Sequence, residues 1–176
     1  MPAVEMQVKQ VSLDPVLGAP VVILEEKGGG RSVPIWVGQT EVAAIVSELR
    51  KVPLARPSSH DLMNEIIFRM RGRVARVAVT DHQHGTFFAE IVVETAEGEV
   101  TVDARASDAI ALALRAQAPI FVEHTVVERT WGLTPCRRNA DCWGDRSSGV
   151  FLDASQPLSP DILDALNDED FGKWKM

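Results

Sequence analysis

The run V-D-A-R-A-S-D-A-I-A-L-A-L-R-A-Q-A-P-I-F, residues 102–121, sets two carboxylates and an arginine beside a nearly all-apolar helix. Asp103 closes a strand pattern, Arg105 follows, and Ser107 with Asp108 opens the helix. Period-2 geometry sends Val100 and Val102 toward the core and Thr101, Asp103 and Arg105 to the other side. Two readings of the charges stand side by side. In one, Asp103 and Arg105 form an ion pair that fixes the turn, Ser107 caps the helix and Asp108 complements its dipole. In the other, the same groups surround helix amides where a phosphate is favoured.

Upstream, Val4, Met6 and Val8 alternate with Glu5, Gln7 and Lys9, the signature of a half-buried strand. Val21 to Leu24 reads as a second strand, Lys27 to Gly30 as a turn and Val33 to Val37 as a third strand, so the chain opens with a β-meander. Val42, Ile45, Val46 and Leu49 recur at helical spacing, which predicts a helix over Thr40 to Val52 ended by Pro53. Ser58-Ser59-His60-Asp61 opens a second helix with Met63, Ile66, Ile67 and Met70 on one face and Gly72 as its stop. Three further strands fall at Val74 to Thr80, Phe87 to Glu94 and Val100 to Asp103. The expected fold is therefore α/β of the α+β kind: a mixed, largely antiparallel sheet from two strand groups, packed with three main helices. T-E-V-A-A-I at Thr40 to Ile45 and S-D-A-I-A-L at Ser107 to Leu112 look alike, which suggests a weak internal duplication or a shared capping chemistry.

Residues 129–158, rich in Gly, Pro, Ser and Trp, fit neither period and read as an irregular loop; residues 159–176 read as a helical tail with Pro160 in its first turn. With 176 residues, one domain over 1–128 plus this extension is the default. No apolar run approaches a membrane span and the N-terminus carries no export pattern, so the expected location is cytoplasmic, away from membranes. The net charge of -7 is the wrong sign for holding nucleic acid over the whole surface, so a polyanion needs a local basic patch. Arg69, Arg71, Arg73 and Arg76 supply one candidate, with Arg56 upstream; the plainer alternative is a solvated helix end.

His60 lies three residues before Met63 and seven before Ile67, on the face that turns inward, where an imidazole can act as general base or metal ligand. Asp61 beside it can serve the same centre, although Ser58-x-x-Asp61 also has the form of a capping box. His82-Gln83-His84 precedes Gly85 and reads as a hairpin turn. Cys136 and Cys142 fit no usual zinc spacing, and two free thiols are the expectation. There is no nucleophile-elbow motif and no Gly-rich phosphate loop.

P-I-W-V-G-Q-T-E at 34–41, R-P-S-S-H-D-L at 56–62, D-A-R-A-S-D-A-I-A-L-A-L-R at 103–115 and A-P-I-F-V at 118–122 together resemble the bifunctional nuclease domain family over roughly residues 3–128. The resemblance implies an α/β domain, prone to self-association with a dimer as first guess, and cleavage of both DNA and RNA. It carries over the polar set Glu41, His60, Asp61, Asp103, Arg105 and Asp108. Ser59 stands where Thr is usual, and Ala106 where Pro is usual; losing Pro at the first helical position loosens that junction.

The leading expectation is a metal-assisted phosphodiesterase. His60, Asp61, Asp103, Arg105 and Asp108 are its catalytic set, and Asp103, Asp108 and Glu41 its ligands for Mg²⁺ or Mn²⁺. Arg56, Arg69, Arg71 and Arg73 are the substrate-binding candidates. This reading requires His60 within direct or water-bridged reach of Asp103 or Asp108. The alternative is a non-enzymatic, self-associating regulatory module in which the same groups are caps and ion pairs.

Overall fold

A computed structural model of the chain describes residues 3–14, 18–130 and 152–153. Strands β1 (Ala3–Leu13), β2 (Pro20–Glu26) and β3 (Ser32–Trp36) form the expected antiparallel meander. Pro20 to Leu24 are buried without alternation, as suits a run covered on both faces. Strands β4 (Arg73–Gln83), β5 (Thr86–Thr95) and β6 (Gly98–Arg105) repeat the meander. His84 and Gly85 turn the β4–β5 hairpin with φ of 50° and 79°, the two successive positive values a type I′ turn demands. His82 stacks on Phe87 across that hairpin, so the His82–His84 pair is turn structure, as its sequence suggests.

The two groups become one open sheet through β7 (Ile120–Glu123), which the sequence reading did not identify as a strand. It lies antiparallel to β1 and parallel to β4, giving the order β3-β2-β1-β7-β4-β5-β6. Four residues are too few to show a period, yet Ile120 and Val122 are buried at the centre of the sheet. Helix α4 (His124–Thr130) follows directly and extends into the segment read as loop, as does the two-residue strand β8 (Leu152–Asp153) against β1. Cys136, Cys142 and the expected helix from Ser159 lie outside the described residues.

Helices α1 (Gln39–Leu49), α2 (Ser59–Arg69) and α3 (Ala106–Ala116) are the three expected main helices. Each meander is followed by a helix, α1 after the first and α3 after the second, and the two meanders flank β7 in mirrored strand order. Helix α3 packs against α1, α2 and the β4–β5 hairpin at once. Ala109, Ile110, Ala111, Leu112 and Ala113 are all buried, which is why this helix is apolar all round.

Two expectations fail at the β6 end of the sheet. Val100 and Val102 share a face with the buried Ile91 and Ala89 of β5, yet are 51% and 47% exposed. They point to the core side but at an edge strand that no helix covers. Met63, Ile66 and Met70 of α2 are likewise exposed, and His60 is the buried residue of that helix. Periodicity marks a common face; it does not say whether anything packs on it.

Ile110→Ala is expected to lower unfolding stability by about 2–5 kcal/mol, and Val100→Ala to change it by less than about 0.5 kcal/mol. Urea midpoints of the two variants check both, and equal losses would contradict the burial described.

Candidate active site

Glu41 lies in the first turn of α1, His60 in the first turn of α2 and Asp108 in the first turn of α3, while Arg105 is the residue capping α3. The capping residue of α3 is thus Arg105, in extended backbone and without a side-chain cap, rather than Ser107; Ala106 is the first helical residue. Arg105 Nε donates to Asp108 Oδ2 at 2.7 Å and Nη2 to Asp108 Oδ1 at 3.2 Å, a forked pair. Its Nη1 donates to Glu41 Oε1 at 2.8 Å. His60 Nε2 lies 3.2 Å from Asp108 Oδ1. Four residues, brought from three helix starts, form one chain: Glu41, Arg105, Asp108, His60. Gly38, which precedes α1, leaves room for this, since a Cβ there would collide with the Glu41 carboxylate.

Burial pushes the Asp108 carboxyl up, but hydrogen bonds and charge from Arg105 and His60 outweigh it and hold the group below the ordinary carboxylate range. Asp108 is therefore an ionised acceptor near neutrality, and the proton between it and His60 sits on Nε2. Nδ1 of His60 has no partner among the described residues. Arg105 is held in its charged form chiefly by its hydrogen bonds with Asp108. Three of its five N–H groups are used, and its side chain is 67% exposed, so one N–H on each terminal nitrogen remains for an incoming anion.

Asp61 and Asp103 fall outside this chain. Asp61 completes the capping box of α2: Ser58 N–H donates to its Oδ2 at 2.7 Å and Asp61 N–H donates back to Ser58 Oγ. Its Oδ1 accepts from Arg115 Nε at 2.6 Å. Burial raises this carboxyl, but the Ser58 bonds and Arg115 overcome it and the net displacement is downward. Asp103 is exposed on β6, where it pairs across the sheet with Glu90, not with Arg105. The expected Asp103–Arg105 ion pair is replaced by the Arg105 pairs with Asp108 and Glu41.

Arg115 is the residue that sequence reasoning passed over. Its side chain is 4% exposed, and all five N–H groups are used. Besides Asp61 it donates to the carbonyls of Ala44 and Ala111 and to the hydroxyls of Ser47 and Ser58. The signal was an arginine ending an otherwise apolar helix, A-I-A-L-A-L-R. Arg115 and Asp61 also line a cleft of about 290 Å³, with Arg56 among its other lining residues.

The expected basic patch does not present a run of free cations. Arg69 pairs with Glu65, Arg73 with Glu94 and Arg76 with Glu99. Only Arg69 belongs to the end of α2, while Arg71 occupies the tight turn after it and Arg73 and Arg76 stand on β4.

The bifunctional nuclease domain matches residues 22–131, which takes in most of β2, all of β3, the whole second meander, the three helix starts and the Arg105–Asp108 junction, and leaves out β1. The chain belongs to the bifunctional nuclease domain family. An uncharacterized protein of Mycobacterium tuberculosis is 32% identical over 167 residues, covering 95% of this chain and 97% of its own length. Bifunctional nuclease 1 of Arabidopsis thaliana is 33% identical over 107 residues, covering 58% of this chain and 33% of that protein. Bifunctional nuclease 2 of the same plant is 30% identical over 105 residues, covering 58% of this chain and 32% of its own length. The chain thus spans about a third of the plant proteins it matches. Among the described residues no helix is long and apolar enough to cross a membrane.

Removing Asp61 leaves a buried guanidinium without its counter-charge, so Asp61→Asn is expected to destabilise by roughly 3 kcal/mol or somewhat less, given partial exposure of the carboxylate. Because the folded Asp61 value is depressed, its contribution is present above the unfolded value of about 3.9 and is lost as pH falls through the folded one. The gap in urea midpoint between wild type and Asp61→Asn should be constant from about pH 5 upward and close in more acidic solution.

Proposed function

We propose that the protein is a phosphodiesterase of nucleic acid in which His60 is the general base, Asp108 its orienting partner and Arg105 the group that meets the phosphate. The observation that carries this is the unbroken chain Glu41–Arg105–Asp108–His60. Asp108 holds Nε2–H, leaving Nδ1 to accept a proton from water as it attacks phosphorus; the P–O bond to one sugar oxygen breaks, and that oxygen leaves as the alcohol after taking a proton from the imidazolium or from solvent. Negative charge developing on the phosphoryl oxygens meets the two remaining N–H groups of Arg105. Glu41 shares the Arg105 cation and keeps its fork aimed along α3. Support for a nucleic-acid substrate comes from the family and from the plant relatives named bifunctional nucleases.

Metal assistance by Mg²⁺ or Mn²⁺ on Asp103, Asp108 and Glu41 does not fit the groups as arranged. Among the described residues no three His, Cys, Asp or Glu side chains are grouped to hold an ion, and Asp108 and Glu41 already share a guanidinium. The non-enzymatic reading draws on one observation, that Asp61 is wholly engaged in a cap and an ion pair.

The test is incubation with single-stranded and duplex nucleic acid, in EDTA and in Mg²⁺ or Mn²⁺, beside His60→Ala, Asp108→Asn and Asp103→Ala. A general base contributes about 10²–10⁴-fold, so His60→Ala should lose at least a hundredfold, Asp108→Asn should follow it, and Asp103→Ala should change little. Strict metal dependence lost in Asp103→Ala would move the chemistry onto the carboxylates. Equal residual cleavage by all variants would favour the non-enzymatic module.

A further inference from the structure

The sheet has two edges, built differently. β3 is five residues long, contains the buried Pro34 and packs near α4. β6 is eight residues long, contains no proline or lysine, pairs with β5 without a bulge, and is exposed along its length except at Ala104. Proline, charged side chains and above all lysine, shortness and bulges are the devices that stop an edge from recruiting another strand; of these β6 has only the charges of Glu99, Asp103 and Arg105, all on the face away from Val100 and Val102. Beside it stands an apolar surface. Val100 and Val102 are exposed on the helix-bearing face, and Leu62, Met63 and Ile66 are exposed along one side of α2. The position of α2 beside this edge follows from Gly72, where a Cβ would touch both Ile67 and Val93, and Val93 is the cross-strand partner of Val100.

We propose that β6 pairs antiparallel with β6 of a second copy of this chain, about a twofold axis through Val102, extending the sheet and bringing the exposed faces of the two α2 helices toward each other. A twofold perpendicular to the sheet keeps helices of both copies on one side and requires an axis through a residue, because cross-strand partners must share a face. Three registers overlap well. An axis at Thr101 sets Glu99 opposite Asp103 of the other copy, and an axis at Asp103 sets that carboxylate against itself. Both place like charges in direct opposition. An axis at Val102 sets Val102 on Val102, Val100 on Ala104, Thr101 on Asp103 and Glu99, paired in its own chain with Arg76, across from Arg105, paired in its own chain with Glu41 and Asp108, so no like charges are opposed and apolar groups meet on the core side. The strand is self-complementary in one register. This places Arg105, with its Glu41 and Asp108 partners, beside the seam. The inference stands whether or not the proposed chemistry does, because no group it uses need react.

Sedimentation at micromolar concentration tests the association, and a cysteine pair tests the register. Wild type should sediment at about twice 19.3 kDa. Val102→Lys, at a position already half exposed in one copy, and Glu99→Arg, which sets two cations opposite each other, should each weaken the dimer by about tenfold or more. Leu13→Lys, an exposed apolar position on β1, should leave the mass unchanged. In a Cys136→Ser, Cys142→Ser background, Val102→Cys should form an intermolecular disulfide under mild oxidation and Val100→Cys should not, because only the first is opposite itself. A wild-type monomer, a dimer indifferent to both β6 substitutions, or preferential cross-linking at Val100 would overturn the proposal.

Discussion

A guanidinium buried among three helices is the constraint on which the rest of this structure depends. Arg115 ends a helix of alanine, leucine and isoleucine and cannot reach water, so each of its five N–H groups must find an oxygen inside the protein. The oxygens come from α1, from α2 and from α3 itself. Satisfying Arg115 therefore fixes the mutual placement of all three helices. Asp61, drawn to Arg115, fixes the rotation of α2 about its axis, and that rotation points the neighbouring His60 at Asp108. A structural ion pair at one side chain sets the geometry of the polar chain at the next.

The two halves of the chain meet at a second cation. Each half is a meander followed by a helix whose first turn carries an acid, and Glu41 and Asp108 converge on Arg105. The resemblance of T-E-V-A-A-I to S-D-A-I-A-L thus has a counterpart in space. Arg105 is exposed where Arg115 is buried, and the difference assigns their uses. A saturated, buried arginine holds a fold together. An exposed arginine with two N–H groups to spare can meet an anion while its acids hold it in place.

Much of this architecture was legible in the residues. Alternating or continuous apolar runs marked six of the eight strands among the described residues, helical spacing marked α1 and α2, an apolar run with a polar start marked α3, and Ser58-x-x-Asp61 was a capping box. Burial was the weaker inference. Val100, Val102, Met63 and Ile66 have the pattern of core residues and stand exposed, because pattern records a shared face and not a neighbour. β7 escaped notice since four residues carry no readable period, although it joins the two halves of the sheet.

Six strands and three main helices in their order, the family and the set of polar residues worth watching could be read from the chain alone, because local spacing and capping chemistry act within a few positions along it. Only the tertiary structure decided which of those polar residues belong together. Glu41 and Arg105 are 64 positions apart and His60 and Asp108 are 48 apart, and no local rule relates them. Their meeting follows from packing three helices around a buried cation, and that same packing leaves Asp103 on an uncovered edge and gives Asp61 to Arg115.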